Sequence, residues 1–292
     1  MINRWKKYIQ NLKKLERENL LLRKNLSYII RNKYPEIISK SNSAIHSSIN
    51  DFEFNVYSQN GEDGILLHIV SKIGIHSHTI IEFGGSDGIQ CNSANLLLNF
   101  GWKALLIEGN AEKVNTGIKY YHENGVDEKQ LTFIPSFITS ENINQLFTKN
   151  NYKGEIDILS IDIDGNDYHV WKSIHEVNPR IIVCEYNAAF GPEKEITIPY
   201  DSKFTLKSKE STGFYFGCSL ALLEKLGKEK GYSLIGTDKL GVNAFFVRND
   251  LMQNKFAIKT SEECYHENLK CKQAGGYSLA FDKIKHLDFF LP

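Results

Sequence analysis

Ile81-Glu82-Phe83-Gly84-Gly85-Ser86-Asp87-Gly88 is the stretch whose reading decides the fold. A short apolar run enters two glycines, and the chain around 92–100 then reads as a helix. Glycine accepts tight backbone geometry and lets a ligand come close to the main chain. The spacing is not the G-x-G-x-x-G of a dinucleotide fingerprint. Glu82 and Asp87 also stand where a pyrophosphate would be repelled. A cationic ligand suits such a turn, and S-adenosylmethionine carries an ammonium and a sulfonium. Taken alone, the turn fits an ordinary strand–helix connection equally well.

Working outward, similar apolar runs follow. Residues 104–107 end at Glu108, 132–134 at Pro135, 156–161 at Asp162 and 181–184 at Glu185. Helical stretches separate them, near 92–100, 141–149 and 167–176. The alternation predicts an α/β, Rossmann-like parallel sheet with helices on both faces. A later helix near 219–230 precedes apolar runs at 232–236 and 244–247, expected as an antiparallel pair closing the sheet. Ligands of such sheets bind outside the carboxyl ends of the strands. There this chain repeatedly places acids: Glu82, Asp87, Glu108, Asp162, Asp164 and Glu185, with Ser136 and Asn187 beside them. Glu108 falls where an acid gripping ribose hydroxyls belongs. Together with the glycine turn it favours a nucleoside ligand.

Several further segments stand in order: Tyr57-Ser58-Gln59-Asn60-Gly61-Glu62-Asp63-Gly64, Ser160-Ile161-Asp162-Ile163-Asp164-Gly165-Asn166-Asp167-Tyr168, Glu185-Tyr186-Asn187-Ala188, Pro199-Tyr200-Asp201, Tyr215-Phe216-Gly217-Cys218-Ser219-Leu220 and Asn243-Ala244-Phe245-Phe246-Val247. With the glycine turn, they resemble the FkbM-like methyltransferases over residues 52–250. The resemblance implies a class I methyltransferase sheet, S-adenosylmethionine as cofactor and O-methylation of a sugar, either a nucleotide sugar or a bacterial surface polysaccharide. Carried over by motif, Glu82, Gly84, Asp87 and Glu108 hold the cofactor. Gln59 lies in the segment placed over its pocket, and Ser136 falls near the adenine.

A sugar hydroxyl is too weak an acid to ionise near neutrality, so its methylation needs a general base or a metal. Asp162, Glu185 and Asn187, with Asp164 close by, form a hard-oxygen set suited to Mg²⁺, Mn²⁺ or Ca²⁺. It looks like the metal site of catechol-type O-methyltransferases, although Tyr186 separates acid from amide and no Lys closely follows Asp162. The competing expectation is a metal-free base, with His169, Asp162 or Asp164 as candidates. For His169, packing beside Trp171 is an equal alternative. Tyr186, Tyr200 and Tyr215 are candidate acceptor contacts, with core packing as the alternative. Lys194, Lys203 and Lys207 are candidates for meeting an acceptor phosphate, or form a solvated loop. An amine or phosphoramidate acceptor, or a non-catalytic scaffold retaining the fold, remain the alternatives. The acids kept at the strand ends favour the enzyme.

Lys and Arg number 35 and so do Asp and Glu, so a zero net charge gives no reason to expect nucleic acid as partner. Residues 1–33 nevertheless carry ten Lys/Arg against two Glu, about +8, which leaves about −8 for the rest. Residues 1–35 read as one helix ended at Pro35. Trp5, Leu12, Asn19 and Leu26 fall at heptad a, and Tyr8, Leu15, Leu22 and Ile29 at d, which predicts a two-stranded coiled coil and a homodimer. Packing on the chain's own domain and lying on anionic lipid are the alternatives. Residues 36–50 are Ser/Asn-rich and read as a linker, and 51–292 as the catalytic domain. The five scattered Cys lack C-x-x-C spacing and no apolar run suits a membrane span, so a reduced, cytoplasmic protein is expected.

Overall fold

A computed structural model describes residues 48–206 and 211–292, together with Leu22. The expected coiled-coil arm, apart from Leu22, and Lys207 therefore lie outside the described residues. Seven strands form one sheet in the order β3-β2-β1-β4-β5-β7-β6. They are β1 Thr79–Phe83, β2 Lys103–Glu108, β3 Leu131–Pro135, β4 Gly154–Ile161, β5 Val177–Glu185, β6 Tyr232–Thr237 and β7 Asn243–Arg248. The first five run parallel. β7 lies antiparallel between β5 and β6, as the two late apolar runs predict. β5 starts upstream of the expected run and passes through Pro179, which pairs in register with Ile156.

Successive residues of each strand feed opposite cores, so the runs are apolar throughout rather than alternating. On one face, Ile80, Leu106, Ile158 and Val183 pack with helices α1 (Glu62–Ile73), α2 (Ala94–Phe100) and α3 (Ala111–Glu123). On the other, Ile81, Leu105, Leu159 and Ile182 pack with α4 (Ile143–Lys149), α5 (Asp167–Ser173) and α6 (Leu220–Glu229). Each large apolar side chain so buried contributes about 1.5–3 kcal/mol of transfer free energy.

Two features extend the sequence reading. The turn Ile49–Phe52 is docked on β6: Asn50 donates to the Thr237 carbonyl at 2.7 Å, and Ile49 occupies the space left by Gly236, which lacks a Cβ. The expected linker thus gives way to folded structure by Ser48. The C-terminal region forms short helices α7 (Asn249–Met252), α8 (Ser261–Cys264), α9 (Leu269–Gln273) and α10 (Tyr277–Asp282). Cys264, Cys271, Ala280 and Ile284 from this region complete the second core, and Phe290 exchanges two backbone hydrogen bonds with Thr197 (3.1 and 2.8 Å). All five cysteines are free and buried. Among the described residues, no helix is long and apolar enough to cross a membrane.

Candidate cofactor cleft and acidic centre

The carboxyl ends of β1, β2 and β4 converge on Gly84. Its φ is +71°, and a Cβ there would lie 1.7 Å from the Asp162 carbonyl oxygen. Only glycine lets these two strand ends touch. Gly84 N–H donates to the Ile107 carbonyl at 3.0 Å, which joins β2 to the same point. Two cavities meet here, sharing Gly84 and Asp162. The larger, of about 210 Å³, is lined by Glu108, Lys113, Ser136, Asn166 and Phe204 among others. The smaller, of about 70 Å³, is lined by Gln59, Glu62, Glu82, Asn92 and Asn243 among others.

The cofactor candidates divide. Glu108 projects into the larger cavity, oriented by the Asn110 N–H on Oε1 at 2.9 Å. Ser136 lines it too, its N–H donating to the Glu108 carbonyl at 2.9 Å. Glu82 is buried, and its two oxygens accept the N–H groups of Asn92 (2.9 Å) and Ser93 (2.8 Å). Burial raises its pKa and these amides oppose the rise. Glu82 therefore pins the glycine turn to the start of α2 as well as lining the smaller cavity. Gln59 lines the smaller cavity near Gln90. Asp87 lines neither cavity: its carboxylate accepts the Ile89 N–H at 3.1 Å and caps the turn from within.

Other residues do more than their sequence signal suggested. Asp63 Oδ2 accepts the N–H groups of Val56, Tyr57 and Ser58 at 2.7, 2.7 and 2.9 Å. Glu62, 2% exposed, accepts from the Asn60 N–H at 2.6 Å and from Asn243 Nδ2 at 2.8 Å. It thereby ties the loop before α1 to β7 across the smaller cavity. Asp167 accepts from Ile163 N–H (2.8 Å) and Gly165 N–H (3.0 Å), so it shapes the turn after β4. The signal for Glu62 and Asp63 was a pair of adjacent acids opening a helix, a position that commonly caps.

Asp162, Asp164 and Glu185 each present an oxygen within 4.8 Å of the others. Asp162 and Glu185 are half-buried, and Asp164 is exposed at φ +56°. Burial, reinforced by the neighbouring carboxylates, raises the pKa of both Asp162 and Glu185. Glu185 Oε2 is buried with no hydrogen-bond partner.

Asn187, expected as a third metal ligand, is 1% exposed, lines neither cavity and is engaged by backbone at both ends of its amide. Its Nδ2 donates to the Phe214 and Phe216 carbonyls at 2.6 and 2.8 Å, and its Oδ1 accepts the Ala189 N–H at 2.9 Å. Tyr186 is likewise a core residue, 1% exposed, with its hydroxyl on the His266 carbonyl at 2.8 Å. His169 lines neither cofactor cavity. Its Nε2 hydrogen-bonds the Ile198 carbonyl at 2.9 Å, burial lowers its pKa, and its ring packs on Tyr168, Tyr200 and Phe290. These contacts are the packing alternative for His169, with Tyr200 and Phe290 as its neighbours. Tyr200 and Tyr215 do meet at a cavity, of about 250 Å³, which shares Phe204 with the larger cofactor cavity. Lys194 lies over the Phe281 ring, 4.7 Å from its centroid.

No protein-family model matches this sequence, and no curated protein does. Among solved structures, the chain is similar to magnesium protoporphyrin IX methyltransferase from Synechocystis PCC 6803 with bound S-adenosylmethionine. That likeness has a TM-score of 0.41 and 12% identity over 64% of this chain and 77% of that one. It is also similar to an O-methyltransferase from Bacillus cereus in complex with S-adenosylhomocysteine, with a TM-score of 0.41 and 13% identity over 75% and 93%.

Proposed function

We propose that the chain is an S-adenosylmethionine-dependent O-methyltransferase of the FkbM-like family. On this reading residues 51–292 form the catalytic domain, and the acceptor is a sugar hydroxyl of a nucleotide sugar or bacterial surface polysaccharide. The observation that carries the reading is the pair of cavities meeting at Gly84 and Asp162, with acids at both ends. Glu108, which lines the larger cavity, would accept from the ribose hydroxyls. Glu62 and Glu82 border the smaller cavity, where the cofactor's ammonium would find compensating charge. S-adenosylmethionine supplies the activated methyl group when bound.

The same site suits a divalent cation. Asp162, Asp164 and Glu185 are hard-oxygen donors at chelating separation, and the partnerless Glu185 oxygen is what a ligand set looks like without its ion. Asn187 is left out of this set because its amide is engaged by backbone. A cation there would lower the pKa of an acceptor hydroxyl. The chain's own part is to hold the three carboxylates in place, through Asp167 on the β4 turn, and to orient the acceptor.

The test is calorimetric titration with S-adenosylhomocysteine. Glu108→Ala should weaken binding by about 1.5–3 kcal/mol, the value of charge-assisted hydrogen bonds. No binding by the parent protein, or unchanged affinity in the variant, would remove the cofactor assignment or Glu108 from it, respectively.

A further inference from the structure

The segment 198–204 carries neither helix nor strand, yet it lines the cavity between Tyr200 and Tyr215 and reaches the cofactor cleft through Phe204. Its start is fixed in the core. Ile198 N–H donates to the Gly217 carbonyl at 3.2 Å, and the Ile198 carbonyl meets His169 Nε2 at 2.9 Å. Beyond that point two side chains tie it to the ends of β3 and β4.

The first is Asn166, 3% exposed, immediately before α5. An Asn at this position ordinarily turns its oxygen onto the N–H groups of its own helix. Asn166 makes no such cap. Its Nδ2 instead donates to the Asp201 carbonyl at 2.8 Å, and its Oδ1 accepts from the Asp201 N–H at 3.5 Å. The same residue lines the larger cofactor cavity. Phe204 reinforces the tie, because its ring lies on Gly165, where a Cβ would come within 2.3 Å of it. The second is Tyr200. Its hydroxyl accepts the Ser140 N–H at 3.1 Å and donates to Glu141. Ser140 and Glu141 belong to the loop after β3, in which Ser136, Phe137 and Ile138 line the larger cavity.

A ligand in the larger cavity therefore holds the ends of β3 and β4, and these hold the segment. We infer that Asn166 and Tyr200 are positioning residues: cofactor in its cleft orders segment 198–204, and with it the acceptor cavity, through these two ties. The acceptor role of the second cavity rests on the methyltransferase reading. Such coupling is reciprocal, so an acceptor that orders the segment tightens the cofactor by the same factor.

The experiment is amide hydrogen exchange of the full chain with and without saturating S-adenosylhomocysteine. In the parent, the ligand should slow exchange at 84–92, which borders the smaller cavity. It should also slow exchange at least about fivefold at 198–201, residues that line neither cofactor cavity. Asn166→Ala should remove most of the second effect and keep the first. Tyr200→Phe keeps the ring and removes the hydroxyl, so it should reduce the second effect too, and it carries the test should Asn166→Ala not fold. Unaltered protection of β4 shows that a variant is folded. A merely structural role would speed exchange at 198–201 equally with and without ligand, leaving the slowing factor unchanged. Slowing at 84–92 with none at 198–201 in the parent, or an unchanged factor at 198–201 in every folded variant, would overturn the proposal and leave the cofactor assignment standing. No slowing anywhere would sink the cofactor assignment and the proposal with it.

Discussion

Glu185 ends in a buried oxygen with no hydrogen-bond partner among the described residues, whereas the amide of Asn187, two residues on, is engaged by backbone at both ends. The two residues look interchangeable in sequence as oxygen donors past a strand. The difference arises from the loop that follows, which folds back so that its carbonyls reach the Asn187 amide. Titration with Mn²⁺ should therefore show a site that weakens at least about tenfold in Asp162→Ala and Glu185→Gln, as for other residues that organise a metal. Asn187→Ala should leave Mn²⁺ affinity nearly unchanged but cost about 2–3 kcal/mol of stability through its lost hydrogen bonds. An Asn187 variant that abolishes Mn²⁺ binding while remaining folded would restore the original ligand set. His68 carries a second residue-level consequence. It is 3% exposed, stacked on Phe52, with Nδ1 buried and unpartnered, and burial lowers its pKa from 6.5 to about 4. Between those values the unfolded chain binds more protons than the folded one, so stability is lost as pH falls from 6.5 toward 4. The loss attributable to His68 reaches about 3 kcal/mol. His68→Leu should flatten the melting temperature against pH relative to the parent. Parallel curves for the two proteins would place the titration elsewhere.

At the scale of elements, the strands were legible because all but β7 are apolar runs stopped by Gly, Asp, Glu or Pro. A further exception is the start of β5, where Pro179 reads as a strand breaker yet sits within the pairing to β4. The C-terminal helices were not legible: α7 to α10 span four to six residues each, too short to display a helical period. Of the site, the strand-end acids were found, but which of them face a cavity and which bind backbone depends on loops that periodicity cannot describe. Asp87 and Tyr186 were lost in that gap, and the Glu62 and Asp63 clamps were passed over in it. The loop at 56–60 has no secondary structure of its own and hangs on Asp63. Asp63→Ala should lower stability by about 3 kcal/mol and speed amide exchange at 56–58. Asp63→Asn keeps one acceptor oxygen and should lose less. Equal loss in both variants would mean that charge or packing, rather than the three accepted hydrogen bonds, holds the loop.

At the scale of the whole molecule, the charge is divided, with about +8 on residues 1–33 and about −8 on the remainder. The heptad stripe and its single Asn19 are expected to pair two chains in parallel, where Glu18 would face Arg23 of the second chain. Removing residues 1–35 should then give a monomer by sedimentation that still binds S-adenosylhomocysteine. A truncated protein that stays dimeric would relocate the interface to the catalytic domain. The five buried thiols have one more implication for the molecule. Cys91 lies beside the glycine turn, Cys184 and Cys218 in the central core, and Cys264 and Cys271 beneath the C-terminal helices, and burial raises the pKa of each. A thiol so placed reacts with an alkylating reagent only when its surroundings open. The chain thus carries a native set of clocks, and the order in which mass spectrometry finds them alkylated would record which region breathes first and how far a bound ligand slows it.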